Sequence, residues 1–170
     1  MSSKLFIGNN TTISVSYKIG VVDTTFARVD MGSFAIEELK KYNDVEVVRV
    51  TVPGMKDLAV ACKKLLDNGC DVCLAIAMVG SHKLDETCAH EANMGIMQAQ
   101  LMTNKHILSV FVHEIETNDE KDLYDICVDR VTKHAHNAYL IVAKPEELTN
   151  NAGTGRRQGR ADAGPIEARK

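Results

Sequence analysis

The side chains best suited to chemistry stand in four short polar stretches, each following an apolar run. They are Asp23-Thr24-Thr25-Phe26-Ala27-Arg28, Pro53-Gly54-Met55-Lys56-Asp57, Met78-Val79-Gly80-Ser81-His82-Lys83 and His113-Glu114. Phe26 sits between polar neighbours, so its ring suits stacking on a planar heterocycle or, equally, stapling the loop to the next helix. Gly54 after Pro53 lets backbone approach a ligand, and a helix start just beyond it offers free N–H groups to hydroxyl or phosphate oxygens. A plain strand-to-helix turn would use the same residues. His90-Glu91 can act as a general base and its partner or hold a polar ligand; the same dipeptide also fits ordinary helix surface. His113-Glu114 says more, because it interrupts an apolar run at its carboxyl end. His134 and His136, two apart on a helix, do not share a face and make no metal pair. The sequence lacks GxGxxG, GxxxxGK[ST] and GxSxG, which weighs against dinucleotide, P-loop and hydrolase chemistry.

Positioning these groups requires a particular scaffold. Tyr17 to Asp23, short and rich in β-branched residues, reads as a strand buried on both faces, and Val45 to Val52, Val72 to Met78 and Ile107 to Val112 read as the other strands. Helical periodicity covers Arg28 to Tyr42, Lys56 to Leu66 before Asn68-Gly69, and Asp85 to Thr103, with His106 helping to end the third helix. A last helix runs from an Asn118 or Asp119 cap to about Val142, closed by Pro145. Strands alternating with helices predict a four-stranded parallel sheet in a three-layer α/β/α fold. In such sheets ligands bind outside the carboxyl ends of the strands, where all four polar stretches fall.

The 170 residues fit one domain: a catalytic α/β domain over 15–149, an N-terminal extension over 1–14 and a Gly/Arg-rich tail over 150–170. Composition alone predicts a disordered tail. A net charge of -3 leaves no electrostatic footprint for nucleic acid or an anionic membrane. The polar start and the lack of a run of about 18 apolar residues predict a cytoplasmic protein without a signal peptide. Cys62, Cys70, Cys73, Cys88 and Cys127 read as reduced structural thiols, and the lone Cys70-x-x-Cys73 pair enters a strand, which suits neither zinc nor a thioredoxin-like site.

Four long phrases resemble the archaeal riboflavin synthases, relatives of lumazine synthase: GVVDTTFARVDM from Gly20, TVPGMKDLAVACKKLL from Thr51, CAHEANMGIMQAQLMTNKHI from Cys88 and VFVHE from Val110. AGTGRRQGRADAGP from Ala152 matches the family's Gly-rich ending and places the tail on its own or a neighbouring subunit. The resemblance implies a lumazine synthase-like fold with a flavodoxin-like parallel sheet, and a homopentamer with active sites between subunits. It implies a dismutation of two 6,7-dimethyl-8-ribityllumazine molecules into riboflavin and 5-amino-6-ribitylamino-pyrimidinedione. It also implies a divalent cation, magnesium, and no redox cofactor. By analogy with lumazine synthase, Phe26 beside Thr25 stacks on a ring and Pro53, Gly54, Met55 and Asp57 hold ribityl hydroxyls. Met78, Val79 and Gly80 line the ring pocket through backbone atoms, and Ser109, Val110, Phe111 and Val112 come from the adjacent chain. His90, Glu91 and His113 are the proton-transfer candidates, and Lys56 or a helix N-terminus stabilises enolate-like charge. After Gly80, Ser81-His82-Lys83-Leu84-Asp85 does not reproduce the His-containing phrase of lumazine synthases, which argues against that activity. The alternatives are lumazine synthase and a flavodoxin-like module that binds a flavin or lumazine without turning it over.

Overall fold

In the computed structural model, which describes residues 16–167, strands and helices alternate along the chain. The strands are β1 (Tyr17–Thr24), β2 (Val45–Val52), β3 (Val72–Val79) and β4 (Ile107–His113). The helices are α1 (Met31–Leu39), α2 (Leu58–Asp67), α3 (Lys83–Thr103), α4 (Glu120–Ala143) and a short α5 (Pro145–Asn150). All strands pair in parallel in the order β2-β1-β3-β4. β3 (VCLAIAMV) is buried at every position, as a central strand covered on both faces must be.

Two apolar layers flank the sheet. Met31, Ala35 and Leu39 of α1 and Cys127, Val131 and Ala135 of α4 pack on Val21, Leu74, Ile76 and Val110. On the other face Leu58, Cys62 and Leu66 of α2 and Ala89, Ala92, Ile96 and Ala99 of α3 meet Val22, Ala75, Ala77 and Phe111. Each large side chain buried this way contributes roughly 1.5–3 kcal/mol. The three-layer α/β/α arrangement is therefore present, and the parallel strands bring all four carboxyl ends to one rim. Cys62, Cys70, Cys73 and Cys127 lie inside these layers and Cys88 is half-buried. Burial pushes the Cys70 and Cys127 thiols up to about 11, which suits inert packing groups.

Several element ends differ from the periodicity, and in four places the local cause is plain. Helix α1 starts at Met31 rather than Arg28 because the Asp30 side chain caps it, accepting from the Ser33 N–H at 3.2 Å and the Ser33 hydroxyl at 2.6 Å. A 3₁₀ turn at Met55–Asp57 delays α2 to Leu58. Helix α3 ends at Thr103 with Asn104 left-handed at φ 52°, so His106 lies beyond the helix and plays no part in ending it. Pro145 does not merely close α4: it opens α5 as its first residue, where a missing N–H leaves no partner wanting.

The tail also departs from its composition. Around Gly159 and Arg160 the tail packs on α4: the Gly159 N–H donates to Asp129 at 2.7 Å and the Lys133 ammonium to the Arg160 carbonyl at 3.5 Å. Gly159 is buried at φ +78°, and a Cβ there would lie 2.6 Å from the Arg130 guanidinium, so glycine alone fits this approach. These contacts supply the partners that a disordered segment lacks. The extension over 1–14 lies outside the described residues.

Candidate active site

The loops after β1 and β2 are tied directly together. The Thr25 N–H donates to the Val52 carbonyl at 3.0 Å and its hydroxyl to the Pro53 carbonyl at 3.1 Å. Between these loops and α3 lies a pocket of about 360 Å³ lined by Phe26, the Pro53 to Asp57 turn, Thr24, Met78, Asp85 and Cys88. Phe26 is 54% exposed, so a large aromatic face stands open at the mouth. Gly54 is extended before the 3₁₀ turn, and no side chain caps that turn. Its first N–H groups are therefore available to a ligand.

Helix α3 forms the far wall. Asp85 and Cys88 are three residues apart and so share one face; Glu91 continues the stripe. The Lys56 ammonium meets the Glu91 carboxylate at 2.5 Å. Hydrogen bonding and charge from Glu91 raise the Lys56 pKa, and the same contact with Lys56 lowers that of Glu91. Both groups therefore stay charged at neutral pH. They are more than half exposed, so their value is local charge at the pocket mouth rather than stability.

Further contacts join the remaining loops. His113 Nδ1 lies 3.0 Å from Glu86 Oε1, linking the end of β4 to α3. Arg28 reaches Glu114 at 3.3 Å and also pairs with Glu120 at the start of α4. Glu116 accepts from the His113 N–H at 3.0 Å and from both terminal nitrogens of Arg130 at 2.6 and 2.7 Å. Arg130 also donates to the Phe111 carbonyl at 2.8 Å. Burial alone would raise the Glu116 carboxyl, but Arg130, the His113 N–H and Arg160 outweigh it and hold it down at about 2.

Under the Phe26 loop a second network fixes the frame. Arg49 of β2 donates to buried Asp23 at 2.5 and 3.1 Å, to Asp30 at 2.6 Å and to the Ser33 hydroxyl at 3.1 Å. The Thr51 hydroxyl donates to the other Asp23 oxygen at 2.6 Å. A Cβ on Gly32 would lie 2.3 Å from the Asp23 carboxylate, so α1 approaches this closely only because residue 32 is glycine. Arg49 thus ties β1, β2 and the α1 cap together on either side of the loop.

The profile of the 6,7-dimethyl-8-ribityllumazine synthase family matches residues 16–144, nearly the whole sheet-and-helix domain. The chain belongs to that family. Its relatives include riboflavin synthases of Methanothermobacter thermautotrophicus, 52% identical over 151 residues, and Archaeoglobus fulgidus, 46% identical over 150 residues. These alignments cover 88% of this chain and 99% and 98% of the two relatives. The riboflavin synthase of Aeropyrum pernix is 45% identical over 151 residues, 88% of this chain and 97% of that one. Within the lumazine synthase family, the chain therefore sits with the archaeal riboflavin synthases.

In this lumazine synthase-family chain the pocket unites Phe26, Pro53, Gly54, Met55, Lys56, Asp57 and Met78, with Glu91 joined through Lys56. Thr25 braces two of its loops, while Val79 and Gly80 are buried at the end of β3. His90 is exposed on α3 and does not line the pocket, because its helical phase turns it from the Asp85 and Cys88 face. His113 stands at the β4 end of the rim, paired with Glu86. Val110, Phe111 and Val112 are core residues of their own chain, and Ser109 is half-buried on β4. Sequence reasoning missed Asp85, Cys88 and Arg49 as parts of the site, and placed Thr24 in a candidate loop without giving it a role. Spacing of three along α3 from Glu91 would have found Asp85 and Cys88; Arg49 gave no local signal. Among the described residues no three His, Cys, Asp or Glu side chains gather as ligands for a metal ion. Among them, too, no helix is long and apolar enough to cross a membrane.

Proposed function

We propose that the protein is a riboflavin synthase, converting two 6,7-dimethyl-8-ribityllumazine molecules into riboflavin and 5-amino-6-ribitylamino-pyrimidinedione. What carries this reading is identity of 45% to 52% with riboflavin synthases along almost their entire length. The pocket supplies what the reaction asks of a protein. A dismutation between identical molecules needs no redox cofactor, but two flat rings must be held in one relative orientation, so positioning dominates.

Phe26 offers the ring a stacking face, and the N–H groups of Gly54, Met55 and Lys56 suit ribityl hydroxyls. One lumazine loses a proton from its C7 methyl, and the resulting negative charge spreads into the ring. The Lys56 ammonium, kept protonated by Glu91, favours that charge. Glu91 is the candidate proton carrier from this chain's rim and His113 the candidate supplied by a neighbouring subunit, while His90 is proposed to act only from the exposed side of α3, toward a neighbouring subunit. The donor ring then gives up its four-carbon unit and leaves as the pyrimidinedione. Magnesium belongs to the proposal as a loosely held, water-rich ion; the described residues build no cage for it, and no step runs through it.

The proposal includes a cytoplasmic homopentamer whose active sites are completed by Ser109 to His113 of a neighbouring subunit. Exposed Met94, Met97, Leu101 and Met102 along α3 support association, being apolar side chains without cover in the single chain. Size-exclusion chromatography with light scattering tests it: a monomer at micromolar concentration rejects the assembly. The matching family profile favours one rival, lumazine synthase. Supplying the pyrimidine with 3,4-dihydroxy-2-butanone phosphate separates the two. The leading reading expects riboflavin fluorescence from lumazine alone and no lumazine from that mixture; the reverse result rejects it.

A further inference from the structure

We propose that Thr24 is a substrate-binding residue, its hydroxyl hydrogen-bonding the polar edge of a ring stacked on Phe26; this rests on the riboflavin synthase reading. Thr24 closes β1, is 6% exposed and lines the same pocket as Phe26 two residues later. Its hydroxyl is buried without a hydrogen-bond partner, the one side-chain oxygen or nitrogen in that position among the described residues. Strand alternation explains why. Val22, two residues back, packs on the α2 and α3 face, so Thr24 turns to that face too. There its register partner Val52 is apolar, whereas Asp23, on the opposite face, finds Arg49 and Thr51.

An orphaned buried hydroxyl is a cost that valine, of nearly the same shape, would remove. Its presence at the floor of a ligand-sized pocket is accounted for if a ligand supplies the missing partner. A pteridinedione does so, since its edge carries carbonyl oxygens and ring nitrogens that accept and an imide N–H that donates. A staggered step about χ1 carries the hydroxyl to another of the three positions on Cβ, which lets it turn toward an entering ring. Thr24 then discriminates the heterocycle's polar edge from a merely flat apolar ring.

The test compares Thr24→Val, Thr24→Ser and the wild-type chain in steady-state riboflavin formation, lumazine fluorescence titration and thermal melting. We expect Thr24→Val to raise KM and Kd about tenfold. Its melting temperature should equal or exceed that of the wild type, and Thr24→Ser should retain wild-type binding. A Thr24→Val enzyme with wild-type KM overturns the inference and leaves the function standing. Thr24→Val and Thr24→Ser weakening binding equally, with both melting lower, overturns it as well, because packing would then explain the loss. A wild-type chain that forms no riboflavin from lumazine sinks both readings together.

Discussion

Phe26 holds its ring in water, and soluble chains seldom keep a phenylalanine more than half exposed beside a concave pocket without use for it. The proposed stacking on a heterocycle would give it that use. Phe26→Ala is expected to weaken lumazine binding by about 1–3 kcal/mol in a fluorescence titration, with the melting temperature nearly unchanged. An unaltered Kd would assign the ring to loop packing instead. At this scale the sequence was legible where chemistry coincides with a strand end. Phe26 and the Pro53 to Asp57 turn stand out because polar residues and a glycine interrupt apolar runs at the functional edge. Helical phase was harder to read: His90 draws the eye as a titratable group, yet Cys88 and Asp85 are the residues turned to the pocket. Knowing that α3 begins at Lys83 fixes that phase, and no residue type announces it.

At the scale of elements, the Phe26 loop is held by what lies beneath it. Arg49 is the shared donor for Asp23, Asp30 and Ser33, and Asp23 is buried. Arg49→Ala would leave that carboxylate without its charged partner and the α1 cap without its brace. A loss of about 3 kcal/mol is expected from urea unfolding. A loss below about 1 kcal/mol, the range of ordinary surface pairs, would show that the network is incidental. This clamp was illegible in sequence, since Arg49 and Asp23 are ordinary residues 26 positions apart and only parallel register brings them together. The elements themselves read well. Strands advertise themselves as β-branched runs, and even β2, an edge strand with no buried position, spans the residues that its composition marks out. Their ends read less well, because the Asp30 cap, the 3₁₀ turn at Met55 and the placement of Pro145 depend on neighbouring backbone.

Across the whole molecule, the tail and the rim meet at Glu116. This carboxylate is nearly buried and holds Arg130, the His113 N–H and, at 3.5 Å, Arg160 of the tail. Its pKa in the folded chain is about 2 against an ordinary 4.5. A depressed folded pKa means that the stabilisation is complete above about pH 4.5 and is lost as pH falls toward 2. Stability measured by denaturant titration should therefore fall by about 2 kcal/mol more for the wild type than for Glu116→Gln across that window. Parallel pH profiles would contradict the role given to this carboxylate. Composition hid the connection, for a stretch rich in glycine and arginine looks disordered until Asp129, Arg130 and Lys133 on α4 give it partners.

The proposed rim brings two flat substrates together, and the product ratio reports most directly on that claim. With lumazine as the sole substrate, the account predicts one riboflavin and one pyrimidinedione for every two lumazines consumed, quantified by chromatography at several time points. Lumazine left intact, or consumed without riboflavin appearing in that proportion, would contradict it.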